Sequence, residues 1–287
     1  YNCPHGRPTI IAMSQYELIA FDMDGTLLNS RKEITPLTLA ALNRAADAGK
    51  KIALSTGRCR PELDSYLSLI PKIRYLICTS GALVYDVYTQ EEILKRSLEP
   101  SLVKELLKLA IKEGAMMHLL DRESIVQTDQ FQHMERYGMG VYKPMYERVV
   151  TAWDNLYETY CASPFPVEKV NFYHTDLESR ERTRRRIEEA GFPVSLADAE
   201  RGSLEISAAG VDKGSGLRKL CERLNIPVSR TIAAGDADND ISILKAAGLS
   251  VAMGNALPHI KELADVTVSD CDHDGCAEII DSWLLAE

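Results

Sequence analysis

Short apolar runs alternate with amphipathic segments along the first part of the chain. The run at residues 18–21 is apolar at every position, which is typical of a buried strand. Residues 35–48 carry apolar side chains at helical spacing, with Thr35 as N-cap, Pro36 at the first helical position and Gly49 as the stop. The order strand, helix, strand, helix, strand predicts a parallel sheet with right-handed crossovers. The strands are predicted at residues 18–21, 51–54 and 74–78, and the helices at 35–48 and from Pro61 onward.

The last part of the chain shows the same alternation, and we expect it to complete the same sheet. Apolar runs and helical spacing again follow each other, and Gly248 stands where one helix should stop. The predicted fold class is therefore α/β, a Rossmann-like parallel sheet with helices on both faces. The predicted elements are a helix at 213–224, a strand at 230–234, a helix at 241–247, a strand at 249–253, a helix at 258–264 and a strand at 266–268.

The middle of the chain differs in its pattern. Residues 123–128 and 168–173 alternate between apolar and polar as half-buried strands do, and amphipathic helices are predicted at 101–113 and 177–190. This indicates an α+β cap domain inserted into the α/β core. The predicted division is 86–202 for the cap, and 13–85 with 203–287 for the core. We expect residues 1–12 to be an upstream extension or cloning remnant outside the fold, with Met13 as the natural start.

Composition narrows the class of protein. With 287 residues, 45% hydrophobic and 26% charged, the chain is typical of a globular protein. A net charge of −9 argues against non-specific nucleic-acid binding and against docking on anionic membranes. The seven cysteines are scattered without a CxxC pair, which favours reduced thiols and a cytoplasmic location. We expect a monomer or small homo-oligomer that binds a small molecule.

Asp22 and Asp24 follow the first predicted strand directly. Side chains two residues apart on an extended chain point the same way, and two carboxylates so close need a shared cation or proton. One carboxylate can attack phosphorus, while the other can give and take a proton. The alternatives for this motif alone are an Asp-Gly turn or a fragment of a calcium loop, but the further ligands of a calcium loop are not in place.

Three more motifs accompany the pair of aspartates. Residues 55–58, Ser-Thr-Gly-Arg, end the second strand, and a hydroxyl with a glycine N–H can hold phosphate oxygens there; a helix-capping turn is the plainer alternative. Lys213 in the first turn of its helix is either a phosphate counter-charge or a surface lysine. Residues 235–240, Gly-Asp-Ala-Asp-Asn-Asp, place three acids after another strand, which favours a metal site. Because ligands bind at the carboxyl ends of parallel strands, these motifs predict one site.

Taken together, these motifs make the chain similar to the haloacid dehalogenase superfamily, in particular the Cof-type phosphatase branch with a large C2-type α/β cap. The resemblance rests on DMDGT, STGR, the lysine of GVDKG and GDADND, in this order, and covers about residues 16–285. It implies Mg²⁺ as the cofactor and the following roles: Asp22 as nucleophile and metal ligand; Asp24 as acid/base that lends its backbone carbonyl to the metal; Thr56, Gly57 and Asn239 as phosphate contacts; Lys213 as a bridge between Asp22 and phosphate; Asp236 as metal ligand; and Asp240 and Arg58 as supporting residues.

One position departs from the branch. Ser80-Gly81-Ala82 stands where the branch often has Asn-Gly-Ala, which puts substrate contacts there in doubt. Arg58 fits the branch, yet it can also serve by pairing with a nearby acid. Asp121, Arg122, Glu123 and Asn171 are candidates to line a lid over the site, although ordinary cap surface is the favoured interpretation for each of them.

The leading hypothesis is a Mg²⁺-dependent phosphatase that hydrolyses small phosphorylated metabolites, with sugar phosphates as the expected class, through an aspartyl-phosphate. A phosphomutase of the same superfamily is the first alternative, since the same nucleophile would serve it. A non-catalytic metal- or phosphate-binding module is the second alternative. The retention of Asp22, Asp24, Lys213 and Asp236 favours an enzyme.

Overall fold

The computed structural model describes residues 15–198 and 202–286 of the chain. The predicted extension at 1–12, and Met13, lie outside the described residues. The strands are Leu18–Phe21 (β1), Lys51–Ser55 (β2), Tyr75–Cys78 (β3), Leu83–Asp86 (β4), Glu91–Lys95 (β5), Met116–Leu120 (β6), Ser124–Gln127 (β7), Val150–Trp153 (β8), Lys169–Tyr173 (β9), Val194–Ala197 (β10), Ser203–Ala208 (β11), Thr231–Gly235 (β12), Leu249–Ala252 (β13) and Val266–Thr267 (β14).

Helices connect these strands. The α-helices are Pro36–Asp47 (α1), Asp64–Leu69 (α2), Pro100–Glu113 (α3), Thr128–Gln132 (α4), Lys143–Val149 (α5), Leu156–Ala162 (α6), Leu177–Glu189 (α7), Lys213–Leu224 (α8), Ile241–Ala246 (α9), Pro258–Leu263 (α10) and Gly275–Ile279 (α11). Short 3₁₀ turns lie at Arg60–Leu63, Thr79–Gly81, Met134–Tyr137, Gly140–Tyr142, Val228–Arg230 and Asp238–Asp240, and a π turn lies at Ile280–Leu284. In the described part of the chain, no helix combines the length and the apolar character needed to cross a membrane.

The first sheet has eight strands in the order β14-β13-β12-β1-β2-β3-β4-β5. The strands from β14 to β3 are parallel, and β4 and β5 extend the β3 edge antiparallel. Apolar clusters fill both faces, one beneath α1 and α11 and the other beneath α8, α9 and α10. The predicted Rossmann-like α/β core with helices on both faces is confirmed.

Register brings the predicted motifs to one edge of this sheet. Phe21 at the end of β1 pairs with Leu54 on β2 and with Ala234 on β12. The residues that follow these three positions are therefore neighbours at the carboxyl edge of the sheet. Asp22, which follows Phe21, is one of them.

The two helices that flank the site begin where the sequence predicts. Thr35 accepts a hydrogen bond from the backbone N–H of Thr38 at 3.2 Å and so caps α1. Asp212 accepts one from the N–H of Ser215 at 2.6 Å, and Ser215 Oγ accepts one from the N–H of Asp212 at 3.0 Å. This reciprocal capping box holds Lys213 at the first position of α8.

The second sheet has six strands in the order β10-β11-β9-β6-β7-β8 and is antiparallel except between β7 and β8. Helices α3, α6 and α7 cover one face, where Val170 and Phe172 of β9 are buried among apolar side chains. Alternate residues of a strand face opposite sides. The intervening Lys169, Asn171 and Tyr173 therefore point to the other face, towards the first sheet.

Sheet membership shifts both predicted domain boundaries. β5 belongs to the first sheet although it was predicted in the cap, and β11 belongs to the second sheet although it was predicted in the core. Counted by sheet membership, the predicted boundaries at 85/86 and 202/203 would each move by several residues. The physical reason is that the polar strand β5 forms a hairpin edge with β4, whereas β11 pairs with β9 just before the chain returns to α8. We propose that the cap runs from about residue 98 to about residue 208.

Candidate active site

Asp22 lies at the centre of the site and follows β1 directly. Its backbone N–H donates to the carbonyl of Ala234 at 3.0 Å, which continues the parallel pairing beyond the strand. Its Oδ1 accepts a hydrogen bond from Lys213 Nζ at 2.6 Å, and the same ammonium lies 2.7 Å from Asp240 Oδ1. Burial lowers the pKa of Lys213, but the two carboxylates outweigh burial and raise it, so the lysine stays charged.

Asp22, Asp236 and Asp240 form a carboxylate cluster, with one oxygen from each within 4.8 Å of the others. Thr26 Oγ1 donates to Asp236 Oδ1 at 2.9 Å. Asp240 Oδ2 accepts from the backbone N–H groups of Asp236 at 3.0 Å and Ala237 at 3.2 Å. Since Lys213 and these N–H groups occupy both oxygens of Asp240, this side chain supports the cluster from behind.

The charge balance of this cluster fits a divalent cation. Burial raises the pKa of Asp22 well above its ordinary value, and the neighbouring Asp240 raises it further, against the opposing effect of Lys213. Burial, followed by Asp240, raises the pKa of Asp236 to about 7. Three buried or half-buried carboxylates share one ammonium, so negative charge is in excess, and carboxylate oxygens are the donors that Mg²⁺ prefers. The donor set therefore fits the expected cofactor.

Gly25 permits the close approach of Asp236. Its φ is +84°, and a Cβ built there would lie 2.5 Å from Asp236 Oδ2. Gly49 has a nearly equal φ of +79°, yet a Cβ there would meet no described atom within 4 Å. An alanine at Gly49 would therefore introduce backbone strain alone, whereas an alanine at Gly25 would introduce the same strain and also clash with the carboxylate of Asp236.

We expect Gly25→Ala to destabilise the fold and to weaken Mg²⁺ binding. Gly49→Ala, the matched control, should lose about 1–2 kcal/mol of unfolding free energy from left-handed strain alone. Gly25→Ala should lose more, because Asp236 must also move. Urea unfolding and Mg²⁺ titration calorimetry on both variants measure the difference. Equal Mg²⁺ affinity in Gly25→Ala and in the unmodified protein would contradict a ligand role for Asp236.

Asp24 points away from the carboxylate cluster. Arg58 Nε lies 2.9 Å from Asp24 Oδ2 and Arg58 Nη2 lies 2.8 Å from Oδ1, so the pairing is bidentate, and Lys32 Nζ adds a contact of 2.8 Å to Oδ1. Burial opposes the charged form, but Arg58 and then Lys32 lower the pKa of Asp24 to about 2. The acid that Arg58 was expected to pair with is therefore Asp24.

A cavity of about 300 Å³ opens in front of Asp22 between the two sheets. Thr56, Gly57 and Asn239 line its core side together with Asp22, Asp24, Arg58 and Asp236. The predicted phosphate contacts are thus brought together, with one difference. Lys213 lies behind Asp22, where it bridges to Asp240 and does not line this cavity.

The polar face of the second sheet forms the opposite wall of the cavity. Asn171, predicted as a lid residue, lies in this wall. Asp121, Arg122 and Glu123 do not, and they line a separate surface cavity with Lys95, which pairs with Asp121 at 2.8 Å. The turn between β6 and β7 carries these three residues beyond the mouth of the site. The cap side chains in the wall are His118, Leu120, Met139, Tyr142, Met145, Tyr146, Asn171, Tyr173, Ser203 and Glu205.

Polar contacts hold the second sheet on the first. Ser80 Oγ donates to Glu205 Oε2 at 2.5 Å and accepts from Lys169 Nζ at 3.2 Å. Thr79 Oγ1 donates to Glu168 Oε2 at 2.8 Å. The Ser80 hydroxyl, where the sequence departs from the branch, therefore contacts the cap and is not among the residues lining the active-site cavity.

Several site residues were not identified from the sequence. Lys32 belongs to none of the motifs, and its contacts with Asp24 and with Tyr142 place it at the site. Asn255 donates to the carbonyl of Gly25 at 2.7 Å and so holds the loop of the two aspartates. His118 and Glu205 lie in strands of the cap. The alternation of polar residues along β9 and β11 was the one signal that could have indicated this wall.

Comparisons with known proteins identify the family of the chain. The family model of haloacid dehalogenase-like hydrolases matches residues 19–280. The chain is 31% identical over 286 residues to the HMP-PP phosphatase of Yersinia pseudotuberculosis, covering 94% of this chain and 96% of that protein. It is 29% identical over 292 residues to the phosphatase YwpJ of Bacillus subtilis, covering 93% of this chain and 100% of that protein.

The fold has a close counterpart among solved structures. A haloacid dehalogenase-like hydrolase from Bacillus subtilis superposes with a TM-score of 0.82 at 26% identity, covering 92% of this chain and 98% of that chain. The inserted domain is part of this match, because the coverage extends over most of both chains.

Proposed function

The chain belongs to the haloacid dehalogenase-like hydrolase family, and from that premise we propose that it is a Mg²⁺-dependent phosphatase of small phosphorylated metabolites. One observation carries the proposal. Asp22 faces the cavity with its carboxylate against Lys213, inside a cluster of acids that fits a divalent cation. A carboxylate held in this way is an anionic nucleophile whose repulsion from an anionic ester is offset by neighbouring positive charge.

The proposed reaction has two steps. Asp22 attacks phosphorus, the bond to the leaving oxygen breaks, and Asp24 gives that oxygen a proton. Water then attacks the aspartyl-phosphate, Asp24 takes the proton of the water, and phosphate leaves with Asp22 regenerated. Thr56, Gly57 and Asn239 line the cavity where the phosphoryl group would be held.

The bound cation would be held by Asp22, Asp236 and the backbone carbonyl of Asp24, as the family resemblance implies, with Asp240 in support. It would supply positive charge to the phosphoryl oxygens as the transferring group moves. The protein's part is to keep Asp22 ionised and aimed at the cavity, which Lys213 supports through its 2.6 Å contact.

Asp24 must change partners to act as an acid. Its contacts with Arg58 and Lys32 hold its pKa at about 2, so it is ionised at neutral pH. We propose that this pairing holds the ionised Asp24 between turnovers. Rotation towards the leaving oxygen separates Asp24 from Arg58 and raises its pKa, so that it takes up a proton from solvent and gives it to the leaving oxygen. The proton that Asp24 then takes from the attacking water returns to solvent when Asp24 pairs with Arg58 again. Arg58 is thereby a positioning residue for Asp24.

Sugar phosphates are the proposed substrate class. The cavity wall opposite Asp22 is rich in amide, hydroxyl and imidazole groups, which suit a leaving group with several hydroxyls. The name of the HMP-PP phosphatase relative supports a small phosphorylated metabolite in general. We also propose a cytoplasmic location, which fits the free thiols of the described cysteines.

The test is hydrolysis of an aryl phosphate and of a panel of phosphorylated metabolites with released phosphate as the readout. We expect activity with Mg²⁺ and a fall of at least about 10²-fold after chelation, restored by adding Mg²⁺ back. Hexose 1-phosphate incubated with the protein should give free phosphate and no 6-phosphate isomer.

Two outcomes would contradict this function. Full activity after chelation would exclude the metal-dependent mechanism. Absence of hydrolysis across the whole panel, in protein that binds Mg²⁺, would favour a binding module.

A further inference from the structure

A chain of buried polar side chains runs from the core, across the interface, to the cavity wall. Glu62 begins it in the 3₁₀ turn after β2, and Ser124 Oγ lies 2.8 Å from Glu62 Oε1. His118 Nε2 lies 2.7 Å from Ser124 Oγ, and His118 Nδ1 lies 3.2 Å from the hydroxyl of Tyr173. Asn171 Nδ2 lies 3.0 Å from the same hydroxyl. All five side chains are buried.

The carboxylate of Glu62 sets the direction of the first hydrogen bonds. Its Oε2 accepts from the backbone N–H of Cys59 at 3.1 Å. Burial raises the pKa of Glu62, while Arg58, Ser124 and Cys59 oppose this effect, and in its ionised form the carboxylate has no proton to offer Ser124. Ser124 therefore donates to Glu62. The Ser124 oxygen must in turn accept from His118, which places the imidazole proton on Nε2.

The unprotonated Nδ1 of His118 sets the direction of the next hydrogen bond. Burial and the nearby Lys169 lower the pKa of His118 to about 3, so the ring is neutral and Nδ1 is an acceptor. The hydroxyl of Tyr173 lies 3.2 Å from this nitrogen, that of Tyr146 lies 3.4 Å from it, and the two hydroxyls are 3.2 Å apart. The shorter contact is assigned as the hydrogen bond, so Tyr173 donates to Nδ1 and Tyr146 donates to the oxygen of Tyr173. The hydroxyl proton of Tyr173 is therefore engaged with His118, and the oxygen of Tyr173 can only accept hydrogen bonds.

Asn171 ends the chain with an unpaired acceptor. Its Nδ2 donates to the Tyr173 oxygen, so its Oδ1 points elsewhere. Among the described residues this buried Oδ1 has no hydrogen-bond partner. The side chain is only 6% exposed and lines the active-site cavity. A buried acceptor without a partner is costly, and a ligand that donates a hydrogen bond would satisfy it.

We propose that Asn171 selects phosphate esters whose leaving group presents a hydroxyl to Oδ1, and that Glu62 positions this acceptor through the chain of hydrogen bonds. The inference rests on the proposed phosphatase function and refines its substrate class to polyol and sugar phosphates. Asn171 is then a specificity-determining residue that touches substrate. Glu62 lines the same cavity, but Cys59 and Ser124 occupy its two carboxylate oxygens. It is therefore assigned a positioning role that acts through Ser124, His118 and Tyr173.

Glu62→Gln should reverse the donor–acceptor direction of every hydrogen bond from Glu62 to Asn171. Since the N–H of Cys59 still needs an acceptor, the new amide turns its oxygen to Cys59 and its NH₂ to Ser124. Ser124 then donates to His118 Nε2, the imidazole proton moves to Nδ1, and Tyr173 donates to Asn171. The Asn171 amide rotates and presents NH₂ to the cavity, so the subsite changes from acceptor to donor.

The first experiment reads the tautomer of His118 and needs no substrate. Nitrogen-15 NMR of the intact protein should show His118 protonated at Nε2, and Glu62→Gln should move the proton to Nδ1. Ser124→Ala, which leaves the core intact, should remove the preference for Nε2. Glu123→Gln is the control, because it makes the same charge change at a cap residue outside the cavity. The side chain of Glu123 contacts Thr151 there. This variant should leave the spectrum of His118 unchanged. An Nδ1 proton in the unmodified protein would overturn the proposed direction.

The second experiment reads the subsite by kcat/KM. The best sugar phosphate substrate is compared with its monodeoxy and monodeoxyfluoro analogues, the fluorine accepting but not donating a hydrogen bond. In the unmodified protein, kcat/KM for one deoxy analogue should be about tenfold lower than for the parent sugar phosphate. This penalty should fall below about threefold in Asn171→Leu, and in Glu62→Gln the fluoro analogue should exceed the deoxy one. Equal deoxy penalties in the unmodified protein and Asn171→Leu would overturn the role of Asn171.

Failure of the inference and failure of the proposed function give different results. Hydrolysis of aryl phosphate, but of no sugar or polyol phosphate, would refute the substrate class while leaving the phosphatase intact. Hydrolysis of no ester at all would refute the phosphatase, and the tautomer of His118 would still decide the hydrogen-bond chain. Fluoro and deoxy analogues ranked alike in Glu62→Gln, with the tautomer unchanged, would exclude Glu62 as a positioning residue.

Discussion

Asp22→Asn should lower the hydrolysis of an aryl phosphate by at least about 10³-fold with Mg²⁺ present. The amide cannot attack phosphorus as a carboxylate does, and it also removes one anionic oxygen from the carboxylate cluster. An aryl phosphate tests this step cleanly because its good leaving group depends little on the acid. Steady-state release of phosphate, measured with enough enzyme to detect a residual rate, checks the expectation.

The variant should fold, so a loss of activity can be assigned to chemistry. Burial and Asp240 raise the pKa of Asp22, which means that the ionised side chain costs free energy in the metal-free protein. An amide removes this cost, while Lys213 keeps its 2.7 Å contact with Asp240. Urea unfolding should therefore show little loss of stability. Asp47→Asn, at an exposed ion pair with Lys72, is the matched control and should keep full activity. A rate for Asp22→Asn within tenfold of the unmodified protein would reject the nucleophile.

The core side of the site could be predicted because each of its motifs is a short stretch of consecutive residues. Each motif follows a short apolar strand, and parallel strands necessarily end at one edge of their sheet. The register Phe21 with Leu54 and Ala234 is what makes the prediction work. Even the pairing of Arg58 with an acid could be anticipated, although the identity of that acid as Asp24 could not.

The cap side of the site was poorly predicted because its information is not local. Asn171 and Glu205 face the cavity only because β9 pairs with β6 and β11, which are distant in sequence. β6 itself was not predicted. Asp121, Arg122 and Glu123 were candidates for the lid, but they do not line the active-site cavity, which agrees with the favoured interpretation of polar turn residues as cap surface. Position on a strand face, rather than polarity, decided which side chains reach the cavity.

The role of Lys213 shows both the strength and the limit of sequence reasoning. The motif identified the residue, and the capping box at Asp212 explains its place at the start of α8. The contact of Lys213 with Asp22 is the one that the resemblance implies, and the same ammonium also reaches Asp240. This second contact arises because Asp240 is fully buried behind the cluster and needs a counter-charge. Its effect on the site is therefore best measured as stability.

Lys213→Met should destabilise the metal-free protein by about 3–5 kcal/mol, since it leaves buried carboxylates without their ammonium. Activity should fall at least about 10²-fold, because Asp22 loses both its charge partner and its orientation. Mg²⁺ should recover a large part of the lost stability by replacing the missing positive charge, and should stabilise this variant more than it stabilises the unmodified protein. Urea unfolding with and without Mg²⁺ measures both effects.

Lys169→Met is the matched control for this stability effect. Lys169 is as buried as Lys213 and pairs with Glu205 at 2.9 Å, but it lies in the cap and outside the carboxylate cluster. Its removal should cost stability that Mg²⁺ does not restore, because no cation binds where its ammonium was. If Mg²⁺ stabilised Lys213→Met and Lys169→Met by the same amount, Lys213 would not be part of the charge balance of the metal site. A selective rescue of Lys213→Met would instead tie the lysine, the three carboxylates and the cation into one electrostatic unit.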